Sequence, residues 1–198
     1  SVSSGQTGVL RSNPMQDKAS LRKMLRELSR SRLTTALRER GSTSIVAQLL
    51  AHPYWREARR VGLYMALADE PDLSTLIQQA QGKELFLPRV LDGETMAFFR
   101  YTPSQDLERS RSFGLLEPSL ASEEVQPSDL DLLIIPALGY DAKGYRLGRG
   151  KGYYDRYLTQ TSGKRLGVTF GLQRFDQLPH DLWDLPMDEV LYPIPALL

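Results

Sequence analysis

The chain has 198 residues, 41% of them hydrophobic, with a formal net charge of +1 and no cysteine. That length allows one well-buried core, and the near-neutral balance supplies no global field to draw in nucleic acid or a membrane surface. The lack of cysteine excludes disulfides, thiolate catalysis and cysteine-ligated metals, and is compatible with the reducing cytoplasm where we expect the protein.

Residues 1–14 are polar, Ser/Gly-rich and without periodicity, and Met15 follows them. We read this segment as a disordered expression leader, the alternative being a native disordered tail. From Gln16 to about Arg40 the spacing of Leu21, Met24, Leu25 and Leu28 predicts a long helix. Eight Lys/Arg against Glu27 and Glu39 make the span from Lys18 to Arg40 strongly basic. Such a run is ordinarily a solvated face. Lys18 and Arg22, however, are four apart and flank the apolar stripe, the best placing for pointing at an anion across a buried boundary.

Ile45, Val46, Leu49 and Leu50 predict a second helix over 44–50, stopped by Pro53. Arg60 to Leu67 reads as a strand ending in Asp69, Glu70 and Asp72 around Pro71. Those carboxylates fit a strand-to-helix turn, and also the carboxyl end of a strand, where ligands of open α/β sheets bind. A short helix (73–81) ending at Gly82 follows, then strands over 84–87, closed by Pro88-Arg89, and 96–101, the latter as a hairpin excursion. Residues 102–127 read as a long polar loop in which Phe113 is either a lid or an anchor.

The densest signal lies between Asp131 and Leu158. Leu132 to Ile135 is a continuous apolar run fitting a strand buried on both faces. A loop follows with Gly139, Gly144, Gly148, Gly150 and Gly152, interleaved with Arg146, Arg149 and Lys151, and a helix starts near Tyr153. Glycines let N–H groups converge into an anion-binding concavity, and the helix start adds its positive dipole end. Asp155 sits beside those cations, where a carboxylate next to phosphates commonly holds Mg²⁺. A flexible solvated loop with Asp155 as a dipole complement is the bland alternative. The pattern is neither a Walker A nor a dinucleotide fingerprint: Gly152 follows Lys151, and the third glycine of G-x-G-x-x-G falls at Tyr153.

Strands over 165–170 and 187–192 complete the chain, with Asp188 as a turn acid or a distant metal ligand. His52 and His180 are too few for a histidine metal cluster, no G-x-S-x-G elbow is present, and no apolar run reaches membrane-spanning length. Strands alternating with helices predict one α/β domain over 15–198. It is a single-domain, Rossmann-like three-layer fold with a mainly parallel central sheet and helices on both faces.

Arg146-Leu-Gly-Arg-Gly-Lys-Gly-Tyr-Tyr-Asp155, preceded by Pro136-Ala-Leu-Gly-Tyr-Asp141, resembles the signature of the 5-formyltetrahydrofolate cyclo-ligase family. The likeness extends from Lys18 to Tyr192, through Lys18-x-x-x-Arg22, Asp69-Glu70, Pro88-Arg89 and Asp188-Glu-Val-Leu-Tyr192. It implies an ATP- and Mg²⁺-dependent ligase of one-carbon metabolism that makes 5,10-methenyltetrahydrofolate. It also implies ATP contacts from Lys18, Arg22, Arg146, Leu147, Gly148, Arg149, Gly150, Lys151, Gly152, Tyr153 and Tyr154. Arg149 and Lys151 would be catalytic. Met65, Glu70 and Phe113 would meet the folate, along with Arg149, Gly150, Lys151, Gly152 and Tyr153. Asp155 and Asp188 would hold Mg²⁺. The aromatic at Phe113 is tryptophan in some members. The expected partners are ATP and 5-formyltetrahydrofolate, with or without a polyglutamate tail, and no nucleic acid or membrane; we expect a monomer. On residue chemistry alone, a non-enzymatic nucleotide- or sugar-phosphate-binding module stays open.

Overall fold

The computed structural model describes residues 9–10, 17–104, 107–109 and 116–198. Its centre is a six-stranded sheet. In chain order the strands are β1 (Arg60–Gly62), β2 (Glu84–Val90), β3 (Met96–Tyr101), β4 (Leu132–Pro136), β5 (Lys164–Val168) and β6 (Glu189–Leu191). Across the sheet they lie β6-β5-β4-β1-β2-β3, all neighbours parallel except β2 and β3, which pair antiparallel as a hairpin. The mainly parallel α/β arrangement and the hairpin excursion are as expected from the sequence.

Strand β4 shows why. Leu132 to Ile135 are at most 1% exposed, and alternate residues enter different cores. Leu132 and Ile134 pack with Ile45, Leu49, Trp55 and Leu76, which belong to helices α2 (Thr35–Ala51), α3 (Pro53–Glu57) and α4 (Ser74–Gln78). Leu133 and Ile135 pack with Phe86, Phe98 and the aromatic end of α5 (Tyr153–Leu158). Each such side chain contributes about 1.5–3 kcal/mol by leaving water. Helix α1 (Lys18–Arg32) stands apart from the sheet, packing Leu21 and Leu25 on Leu147, Phe175 and Leu178.

Several boundaries differ from the sequence reading. The first helix does not run to Arg40: it stops at Arg32, and Thr34 caps a new helix by accepting from the Leu37 N–H at 3.2 Å. That second helix passes straight through Gly41. A Cβ there would lie 2.8 Å from the Phe170 ring, so this glycine permits close packing rather than ending a helix. Pro88 lies inside β2, opposite Phe98. It is tolerated because β1 ends opposite Phe86, leaving the rest of β2 unpaired on that side. Within the segment read from the sequence as disordered, Val9–Leu10 pair in parallel with Arg174–Phe175.

Candidate active site

The carboxyl ends of β1 and β4 open onto a hollow of about 250 Å³. The chain leaving β4 does not go directly into α5. It first forms a two-residue antiparallel ribbon, Gly139–Tyr140 against Arg146–Leu147. Buried Asp141 fastens that ribbon, its carboxylate accepting from the Lys143, Tyr145 and Leu178 N–H groups at 2.9–3.0 Å. The glycine loop then crosses the hollow from Gly148 to Gly152. Gly150 and Gly152 have φ of 103° and 72°, left-handed conformations that side-chain-bearing residues resist. Gly152 is also the N-terminal cap of α5, a helix of six residues without a side-chain cap.

The sequence-predicted residues meet here. Lys18 and Arg22 of α1, Met65 and Glu70 beyond β1, and Arg146, Gly148 to Asp155 all line the one hollow. Arg22 Nε donates to the Gly148 carbonyl at 2.7 Å, tying the helix to the loop. Burial, and next Arg26, push the Arg22 guanidinium below its ordinary value, while Asp155 opposes them. Arg146 is a strut: its side chain is 8% exposed, Nη2 donates to the Pro136 carbonyl at 2.8 Å, and the guanidinium lies 4.8 Å from the Tyr154 ring. Its Nη1 stands 3.7 Å from the Asp155 carboxylate. Lys18 Nζ lies 3.9 Å from Asp184. Lys151 is exposed at the rim. Arg156 of α5 joins the loop to the β2–β3 turn, donating to the Lys151 carbonyl at 2.7 Å and the Glu94 carbonyl at 2.6 Å. Tyr153 adds a bond from its hydroxyl to the Asp92 carbonyl at 3.2 Å.

Arg149 crosses to the opposite wall. Its Nη2 lies 2.5 Å from Asp69 Oδ1 and 3.4 Å from Glu70 Oε2. Burial works against the Arg149 charge, but Glu70 and Asp69 outweigh it and hold the guanidinium above its usual value. Glu70 is 7% exposed. Its Oε1 accepts from the Leu67 N–H at 2.9 Å. Burial pushes its carboxyl up, with Arg149 and the Leu67 N–H pulling the other way. A buried carboxylate with bonding capacity facing a hollow suits a ligand bearing N–H groups.

The hollow therefore has two characters. One side is cationic backbone loop; the other is apolar, built from Met65, Leu67, Pro88, Val90, Met96 and Leu116. The first suits phosphates and the second a flat heterocycle.

A family model for the 5-formyltetrahydrofolate cyclo-ligase family matches residues 14–193. The chain belongs to that family. It is 32% identical to the 5-formyltetrahydrofolate cyclo-ligase of Haemophilus influenzae, over 89% of this chain and 97% of the relative. To the mouse 5-formyltetrahydrofolate cyclo-ligase it is 31% identical, over 88% and 91%. The solved structure of Aquifex aeolicus 5,10-methenyltetrahydrofolate synthetase superposes with a TM-score of 0.72 at 34% identity, covering 89% of each chain.

Three residues suggested by the cyclo-ligase signature do not join the hollow's described lining. Leu147 is fully buried among Leu21, Leu25 and Phe175, so its side chain is core. Asp188 precedes β6 at the amino end of the sheet, where its carboxylate accepts from the Arg165 N–H at 2.8 Å. Asp155 lies at the other end of the sheet, beside the loop that leaves β4. The expected Asp155–Asp188 pair is thus corrected: parallel topology separates the two along the strands. Phe113 lies outside the described residues. Sequence reasoning missed Tyr64, Val90, Met96 and Leu116 as lining, because apolar residues near strand ends carry no chemical mark. It also passed over Asp69 as the Arg149 partner, although the adjacent Asp69-Glu70 pair was a signal.

Proposed function

We propose that this cyclo-ligase family member converts 5-formyltetrahydrofolate to 5,10-methenyltetrahydrofolate at the expense of ATP, releasing ADP and phosphate. The observation that carries the reading is the single hollow in which a glycine-cation loop faces an apolar wall, with Glu70 and Arg149 between them.

The N-formyl group is an amide and a poor electrophile. Transfer of the γ-phosphoryl group to the formyl oxygen makes that oxygen a leaving group. The 10-nitrogen then attacks the formyl carbon, its proton departs, and the C–O bond breaks to release phosphate. No side-chain nucleophile is needed, so catalysis reduces to positioning and charge stabilisation. Arg149 and Lys151 would brace the transferring phosphoryl group. Lys18, Arg22 and the Gly148–Tyr154 backbone would hold the remaining phosphates, while Arg146 acts chiefly by holding Asp155 and Tyr154 in place. Glu70 would accept N–H bonds from the pterin, against Met65.

Mg²⁺, when bound, would neutralise charge on the phosphates. The donor set fits an ion shared with substrate: Asp155 lines the hollow, and the described residues offer no cluster of three acidic or histidine ligands, so phosphates and water would complete the shell. We further propose that residues 15–198 act as one domain and a monomer, in the cytoplasm. Both mono- and polyglutamated folates would be accepted. No helix among the described residues is long and apolar enough to cross a membrane.

Incubation with ATP, Mg²⁺ and 5-formyltetrahydrofolate should produce the methenyl chromophore and ADP in equal amounts. Nucleotide binding without either product would leave only the binding-module reading.

A further inference from the structure

Next to the hollow described above lies a second one of different character, about 490 Å³ in volume. Arg26 and Arg30 of α1, Arg38 of α2 and Arg149 line it, with Asp69 as the one carboxylate. Arg149 and Leu67 belong to both walls, so the two spaces adjoin. Lys18, Arg22, Arg26 and Arg30 follow one another at intervals of four along α1, which makes each a surface neighbour of the next. The first two line the first hollow and the last two line the second.

Three of the four guanidiniums around this second space have no ion-pair partner among the described residues, Arg149 being the one that has. Asp69 is taken by Arg149 at 2.5 Å. Among the described residues, none of the ion pairs involves Arg26, Arg30 or Arg38. The Arg38 Nε is buried and has no hydrogen-bond partner. A buried donor without an acceptor is costly; Arg26 and Arg30 are exposed, so water weakens the repulsion among the three guanidiniums, and all three remain open to an anion. Here a second helix contributes Arg38 to the same space, with its donor nitrogen already withdrawn from solvent.

We infer that this second hollow is a subsite for an oxyanion group, carboxylate or phosphate, adjoining the first hollow across Arg149. The inference rests on the function proposed above only for the source of the anion. Either the glutamate carboxylates of the folate or the phosphate released on ring closure would supply it.

The experiment compares the wild-type protein with an Arg26→Glu/Arg30→Glu variant, and with Arg38→Gln as a milder second variant. Circular dichroism checks that both fold. One arm measures turnover of 5-formyltetrahydrofolate and of the 5-formyltetrahydropteroate that lacks the glutamate. If the tail occupies the subsite, the charge reversal raises KM for the tailed substrate about fivefold, leaving kcat and the tail-less substrate unchanged. The other arm titrates inorganic phosphate by calorimetry, with a non-hydrolysable ATP analogue filling the first hollow. If released phosphate is the occupant, its Kd rises by about fivefold in the variant and the two folate substrates respond alike. Variants that change neither the phosphate Kd nor the difference between the two substrates overturn the inference. A wild-type protein that forms no methenyl product overturns the reaction proposed above, and the phosphate titration then still decides this subsite.

Discussion

Arg149 reaches from the glycine loop across the hollow to Asp69, Nη2 to Oδ1 at 2.5 Å, and brings its guanidinium to within 3.4 Å of Glu70. One cation thus joins the wall assigned to phosphates to the wall assigned to the folate.

Arg149→Ala and Lys151→Ala should each lower kcat by about 10²–10³-fold, as expected for a preorganised charge removed from a phosphoryl-transfer site. Asp69→Asn should give a smaller loss, expressed in kcat more than in the KM for ATP, because the guanidinium remains but its direction is no longer held. Steady-state kinetics against both substrates check this. Full turnover by Arg149→Ala or Lys151→Ala would remove that residue from the chemistry.

Glu70 makes stability and binding respond to pH in opposite senses. Burial, the largest influence, raises its pKa in the folded chain above the unfolded value. The folded state therefore favours the protonated form. Its contribution is fully present below the ordinary glutamate range and is lost as pH rises through the raised value. Glu70→Gln should accordingly raise Tm at pH above that raised value, with the gain vanishing in acid. The same substitution should weaken folate binding at pH above that raised value, where the wild-type carboxylate is ionised and accepts N–H bonds. Thermal melts and folate titrations over a pH series test both halves, and a Tm gain independent of pH would contradict the assignment.

The two aspartates of the family signature should separate cleanly. Asp155→Ala should raise the Mg²⁺ concentration needed for half-maximal activity. Asp188→Ala should leave that requirement unchanged and cost about 1 kcal/mol of stability through the lost bond to the Arg165 N–H. Magnesium titrations of activity alongside urea melts distinguish them.

The core beneath the loop is tight enough to register one methyl group. A Cβ on Gly167 of β5 would lie 2.6 Å from the ring of Tyr140, which is fully buried and donates its hydroxyl to the Ile135 carbonyl at 2.6 Å. Gly167→Ala should destabilise the protein by about 1–3 kcal/mol through overpacking. Because Tyr140 belongs to the ribbon behind the glycine loop, kcat should fall as well. Urea denaturation and turnover measured on the same preparation would show it.

Much of this architecture was readable from residue order because its signals are local. Leu132 to Ile135 fitted a strand covered on both sides, and the glycines and cations of the loop lie within one short stretch. The break at Leu33 was harder to read, since Thr34 competes as a cap inside a run of good helix formers. Gly41 lies between the two helices read from the sequence, yet it is a packing residue inside one of them, which depends on Phe170 far along the chain. Asp188 takes the turn-acid role that its place at the start of the last strand allowed, since in a parallel sheet that end lies opposite the one beside Asp155. Leu147, inside the phosphate-loop signature, turned out to be core because the ribbon alternates its faces, and Arg146 beside it keeps a place in the hollow.

Arg156 has a mechanical consequence. It grips the Lys151 and Glu94 carbonyls with one planar fork, while Tyr153 is tied to Asp92. The glycine loop and the tip of the hairpin are thereby yoked, and neither can swing away alone. Departure of product would be a concerted lift of both, and whatever quiets one rim of the cleft would quiet the other.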